Sequence, residues 1–405
     1  MKKIAGLLFL ALFAYGRVYV LAGEGETPGS GAPAGGRGIY VFTADAEAES
    51  ALNDLELEME NRFNVYNRLF RFDPSLLSAP LNVRVFGNKE AYDSYVIERL
   101  GEPKPGSIYL HYSQTGRREL VIHSGPEEFA KEASMIALAH QAFVQYLRAF
   151  VANPPSWLRD GFAIYYSTLR SSFRGSLEYE KNLIWLEALR NLGENMPSPE
   201  AVFLADEEGS LPLSQESIDA YKISSWALVS FLLSGSREYY RDLVECFMLL
   251  TPNASAAANT LALKNHFLPR LDIDVFEKDL RSYLDSLKTY RELMEKGHEA
   301  YSRGDFLNAE LSFLAAMDQR PLDYAPCYYL GLLSFEGKSH DMAERYYLES
   351  REKGADEALV SYALGINAAA AGRDQDAVDF LHTAASKDPP RFRALVEEQL
   401  KRIWR

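Results

Sequence analysis

Cysteine is nearly absent from this chain. Its 405 residues hold two, Cys246 and Cys327, and no Cys-x-x-Cys pair, which excludes a cysteine zinc site and a dithiol redox motif. They read as two buried small hydrophobes, with a single disulfide as the second reading. Positive charge is short as well: 43 Lys and Arg against 57 Asp and Glu leave a formal net charge of -14. Nucleic acid and anionic lipid both need clustered cationic charge, so neither is an expected main partner. No Gly-x-x-x-x-Gly-Lys phosphate loop and no Gly-x-Ser-x-Gly elbow occurs. The acidic stretch at 206–209 lacks the spacing of a calcium loop.

Long apolar runs are missing too. "IAGLLFLALFA" follows Lys2 and Lys3 and is 11 residues long, too short to span a bilayer comfortably. With "VLAG" behind it, the pattern predicts an export signal over residues 1–22, cleaved after Ala22. An uncleaved anchor is the second reading, and any membrane tether would run through this segment alone. The expected location is therefore outside the cytoplasm, in a periplasm or cell envelope.

What is present suits a globular protein of two or three domains, 47% apolar and 25% charged. Residues 23–37 are rich in Gly, Pro, Ser and Glu and predict a flexible linker. Period-two alternation predicts strands at "GIYVFTADA", "LNVRVFG", "GSIYLHYSQ" and "RRELVIHSG", with helices between. Pro126, followed by Glu127 and Glu128, predicts the start of a long helix that stops at Asn153-Pro154-Pro155. From Leu177 to about Ser286 the pattern is mostly helical. The expected class is α+β, a small sheet with a helical C-terminal half, followed by an all-α array.

The last third repeats. Gly297, Gly331 and Gly365 are 34 residues apart, and so are Ala309, Ala343 and Ala377, then Phe313, Tyr347 and Leu381, then Ala316, Ser350 and Ala384. Pro321 and Pro389 close the first and third units. This register resembles the tetratricopeptide repeat. The resemblance implies a solenoid of three repeats over 290–390, and residues 391–405 read as a capping helix. It also implies a groove for a protein or peptide partner, lined by Met294, His298, Tyr301, Tyr328, Leu332, Phe335 and Tyr362. The other reading of these side chains is packing within the array or against the capping helix.

Residues 136–166 carry the second pattern. His140, Gln141 and Val144 lie on one predicted helix, and Trp157-Leu158-Arg159-Asp160-Gly161 opens the next. The order of elements and these residues resemble the peptidase MA-like, gluzincin-type zinc peptidases, in a zincin-like domain over 38–286. There His-Glu-x-x-His supplies two metal ligands and a general base, and a second helix supplies a carboxylate. The departures decide what the resemblance implies. Val144 has no lone pair for a metal, Gln141 is an amide where the base should be, and Asp160 is one methylene short.

Read by itself, His140 on an apolar helix face is first a hydrogen-bonded core residue, with Asp160 as its partner. His111 and His123, each near a strand end, are expected at the surface. Tyr165, Tyr166 and Tyr221, among 24 tyrosines, are expected to pack. The function this implies is an exported binding or scaffold protein with an inactive metallopeptidase-like domain, no expected cofactor, and a repeat module that recruits a protein. The alternative is a zinc peptidase with atypical ligands from His140 and Asp160.

Overall fold

The computed structural model describes residues 19–21, 38–104, 106–125, 132–171, 177–179, 183–206 and 214–404. The expected leader outside 19–21, the linker at 23–37, the helix start at Pro126 and residues 207–209 of the acidic stretch lie outside this set. Two compact units divide between Leu287 and Lys288.

The first unit is built on a mixed sheet. β1 (Tyr19–Leu21), β2 (Tyr40–Ala44), β3 (Leu81–Phe86), β4 (Ser107–Tyr112) and β5 (Glu119–His123) lie in the order β1-β4-β5-β3-β2. Only the β4–β5 pair is antiparallel. β1 falls within the span expected as leader and forms the outer edge beside β4.

Between the strands run α1 (Leu52–Phe70) and α2 (Lys89–Leu100). The Asn88 side chain caps the start of α2, and Gly101 closes it at φ 77, the left-handed conformation that glycine adopts without strain. Alternation sorts the strand side chains. Ile108, Leu110, Tyr112 and Val121 pack on Tyr92 and Val96 of α2. Tyr109, Leu120 and Ile122 join Val83 and Val85 in the larger core on the other face. That core is covered by α1 and by α3 (Glu132–Phe150).

Polar residues fix α3 on the sheet. Gln141 and Gln145, one turn apart, reach two strands: Gln141 Oε1 accepts from the Tyr109 N–H at 3.1 Å, and Gln145 Nε2 donates to the Asn82 carbonyl at 2.8 Å. An aromatic cluster packs the other side, with Tyr66 edge-on to Phe143 at 5.2 Å and Phe143 stacked on Phe162 at 5.8 Å. Phe162 belongs to α4 (Ser156–Tyr166), whose first turn is capped by the distant Asp206 carboxylate through Ser156 N and Oγ.

A correction follows at Leu177. Residues 169–171 and 177–179 form a two-stranded antiparallel pair, β6 (Leu169–Ser171) with β7 (Leu177–Tyr179), where the sequence predicts helix from Leu177. Leu177 and Glu178 are themselves good helix formers, so the pairing of the two short strands overrides local propensity there. Helices then complete the unit: α5 (Leu183–Leu192), α6 (Pro199–Phe203), α7 (Gln215–Ser234), α8 (Arg237–Leu249), α9 (Ala256–His266) and α10 (Ile273–Ser286). No helix among the described residues is long and apolar enough to cross a membrane. Both cysteines are buried and unbridged.

The second unit is entirely helical. Its pairs are α11 (Tyr290–Ser302) with α12 (Phe306–Gln319), α13 (Tyr324–Glu336) with α14 (His340–Glu352), and α15 (Glu357–Ala370) with α16 (Asp374–Lys387). α17 (Pro389–Ile403) ends it. Each pair is closed by the same contact. The backbone of Gly297 lies against the Phe313 ring, Gly331 against the Tyr347 ring and Gly365 against Leu381, so closely that a Cβ would sit 2.5 to 2.7 Å from them. Ala309, Ala343 and Ala377 are fully buried beside these contacts. Small residues on one helix thus admit a large one from the next.

The turns repeat too. Asp305, Ser339 and Arg373 each donate their N–H to a carbonyl five residues back at 2.8 to 2.9 Å. The residue before each is left-handed: Gly304 at φ 74, Lys338 at φ 59 and Gly372 at φ 75. Lys338 alone has a Cβ in that conformation. Lys338→Gly is therefore expected to raise stability by about 0.5–1 kcal/mol, measured as the chemical-denaturation midpoint. An unchanged or lower midpoint would contradict it.

Candidate functional site

α3 and α4 meet above α7 and bring a polar cluster into the core. Its members from the motif positions are His140, Gln141 and Asp160, and each is more than nine-tenths buried. Their partners differ from those expected. Asp160 does not hydrogen-bond His140. Both its oxygens are taken by Arg159, Oδ1 from Nε at 2.7 Å and Oδ2 from Nη2 at 2.9 Å. Burial disfavours the carboxylate, yet the Arg159 guanidinium holds its pKa below the usual range. Asp160 acts on His140 through its field alone.

His140 Nδ1 is buried with no hydrogen-bond partner. Burial pushes its pKa down to about 4; Asp160 opposes the shift, while Lys222 and Arg159 reinforce it. Gln141 presents its amide oxygen to the sheet, as described, so its side chain serves β4 and is not turned toward an open centre. Val144, one turn beyond His140, is fully buried in the hydrophobic core among aromatic and aliphatic side chains. Among the described residues no three His, Cys, Asp or Glu side chains converge. A protein zinc site needs free lone pairs from at least three side chains. Here one candidate donor is a hydrocarbon, another is locked to a guanidinium, and Lys222 and Arg159 add positive charge beside His140. The donor set does not fit zinc.

The two strand histidines are corrected as well. His111 and His123 are buried, not at the surface. His123 stands on the α2 face of the sheet, its ring 5.8 Å from that of Tyr92. His111 stands on the α3 face, its ring 5.9 Å from Tyr109, with Nδ1 unpartnered. Burial, Arg148 and Arg118 lower its pKa to about 3. Tyr166 packs in the aromatic cluster and Tyr165 against it. The Tyr221 hydroxyl, on α7, is buried without a partner.

Arg148 is the member that sequence reading missed. It follows Gln141 and Gln145 at helical spacing on α3, so three polar side chains occupy an otherwise apolar stripe. That interruption was the available signal.

The depressed histidine pKa values have a thermodynamic consequence. Below pH 6.5 the unfolded chain protonates its histidines while the folded chain keeps His140 neutral down to about pH 4 and His111 to about pH 3. The unfolded state then binds more protons, so stability falls as pH falls through this window, by up to about 1.4 kcal/mol per pH unit for each group. His140→Asn should flatten the slope between pH 6.5 and 4 relative to the parent protein, read from denaturant unfolding. Parallel slopes for the two proteins would contradict the assignment.

In the second unit the groove candidates are distributed. Met294 is buried in the first helix pair, and His298 rests 4.2 Å from the Tyr329 ring. Tyr301 faces Phe306 at 5.9 Å, and Tyr328 faces Tyr347 at 5.7 Å. Leu332 and Phe335 are half-buried on the second core cluster. Tyr362 lies 5.2 Å from Phe392 of α17.

No family model matches the chain, and no curated protein does. Among solved structures it is similar to the N-terminal domain of stress-induced protein-1 (STI-1) from C. elegans, at 18% identity over 29% of this chain and 94% of that one, with a TM-score of 0.26.

Proposed function

We propose that this protein is an exported binding or scaffold component of the cell envelope. Its first unit is a peptidase MA-like domain that has lost its chemistry, and its second recruits another protein through tetratricopeptide-type repeats. The observation that carries the reading is the state of the motif positions. Val144 is sealed in the core, the Gln141 amide is committed to the Tyr109 N–H, and the Asp160 carboxylate is clamped by Arg159. A side chain that is an amide cannot remove a proton from water near neutral pH. The recurring glycine-to-aromatic contacts of the second unit support a helical repeat module, the kind of surface that binds extended peptides or helices.

Two assays test it together. The full chain, incubated with an unfolded protein substrate and added zinc, should leave that substrate intact. Cleavage abolished by a chelator and restored by zinc would establish the peptidase alternative. Crosslinked partners captured by the parent protein should be lost with Tyr328→Ala and Phe335→Ala, both folded by circular dichroism. Equal capture by the variants would remove the repeat face from the proposal.

A further inference from the structure

Among the described residues of the first unit two arginines are buried, Arg62 and Arg148; both leave Nε and Nη1 unpartnered, but Arg62 has a carboxylate in reach and Arg148 has none. Arg62 has Glu58 at 2.6 Å, Arg84 has Glu119 at 2.9 Å and Arg159 has Asp160 at 2.7 Å. Arg118 donates to the carbonyl oxygens of Tyr112 and Arg148 at 2.8 and 3.4 Å. Arg148 is 4% exposed, and its Nε and Nη1 donate to nothing. A buried cation without a counter-charge is among the most destabilising features a fold can carry.

The neighbourhood compounds the deficit. On the same α3 face of the sheet, His111 has an unpartnered buried Nδ1, and the cluster continues to His140 Nδ1 and the Tyr221 hydroxyl, also unpartnered. The carboxylates near it are committed: Asp160 to Arg159, and Asp206 to the first turn of α4 and the Thr260 hydroxyl. Burial and Arg159 push the Arg148 guanidinium down to about 10, the response of a cation among cations. A site with a buried cation that has no counter-charge, and no free carboxylate beside it, is the inverse of a metal centre.

We propose that the buried face between α3 and β4 is a binding site for an oxyanion of the carboxylate or phosphate class, with Arg148 as its principal donor and His111 beside it. Guanidinium suits both classes, since its planar N–H array matches their oxygen geometry. The proposal stands on the unpaired donors and does not depend on the peptidase reading.

Titration calorimetry on the full chain tests it, with acetate and inorganic phosphate in separate arms at constant ionic strength. Saturable uptake of about one anion per chain is expected in at least one arm. Uptake of acetate alone assigns the site to carboxylates, and uptake of phosphate alone to phosphate groups. Arg148→Lys, which keeps the charge but loses the planar array, should weaken that uptake at least tenfold, and Arg148→Met should abolish it. In anion-free buffer Arg148→Met should also raise the thermal midpoint by removing the uncompensated charge, a readout available even if binding is weak. Parent protein that takes up neither anion, or either variant binding as the parent does, overturns the proposal.

Discussion

Gly161→Ala is expected to cost the first unit about 3 kcal/mol, the upper part of the range for forced overpacking. Gly161 sits where α4 crosses α7. A Cβ there would lie 2.5 Å from the Ser225 carbonyl oxygen, 2.9 Å from its carbon and 2.7 Å from Val229 Cγ2. The obstacle is mostly helix backbone, which cannot swing aside as the end of a long side chain can. Ser225, Leu228 and Val229 are also fully buried, so α7 has nowhere to retreat. Separating the helices would in turn displace Asp160, the adjacent residue, and loosen its pairing with Arg159. Three tryptophans, Trp157, Trp185 and Trp226, are buried in this unit, so their fluorescence through a denaturant titration reports its unfolding. A loss below about 1 kcal/mol would show that α4 and α7 are less tightly opposed than the contact implies.

The second large effect belongs to the repeats. Tyr347→Ala empties a fully buried aromatic site and should cost about 3–5 kcal/mol. Gly331→Ala should cost about 1–3 kcal/mol, because its methyl would meet the Tyr347 ring at 2.5 Å. The two changes are made for each other. With the ring gone, the methyl at 331 no longer clashes and fills part of the space, so the double variant should be more stable than the sum of the single losses predicts. A coupling of at least about 1 kcal/mol is expected, well beyond the scatter seen for independent sites. Far-ultraviolet circular dichroism through a denaturant titration measures all four proteins. Additivity within about 0.3 kcal/mol would show that the glycine is not there to admit the ring.

The repeats were legible because their physics is periodic. A glycine, an alanine, a second small residue and a large side chain recurring at 34-residue intervals state a packing rule three times, and the Gly297–Phe313, Gly331–Tyr347 and Gly365–Leu381 contacts show what the rule is for. The sheet was legible for a similar reason, since alternation in "LNVRVF" and "SIYLHY" assigns each side chain to one of two faces. The polar cluster was not. Whether a histidine at a strand end is wet or dry depends on what lies over it, and α2 and α3 cover His123 and His111 from opposite sides. Asp160 could be placed near His140 by its position, but its preference for Arg159 is decided by a guanidinium one residue away. A guanidinium offers a bidentate, fully charged partner; a buried neutral imidazole cannot compete. The β6–β7 pair is three residues per strand, too short for alternation to register.

Metal analysis of protein purified without chelators is the most direct check on the cluster between α3 and α4. Zinc well below one per chain is expected, because Val144, Arg159 and the surrounding cations stand where electron donors would be needed. One zinc per chain, retained through dialysis and lost in His140→Ala, would contradict that picture and make the motif a working metal site.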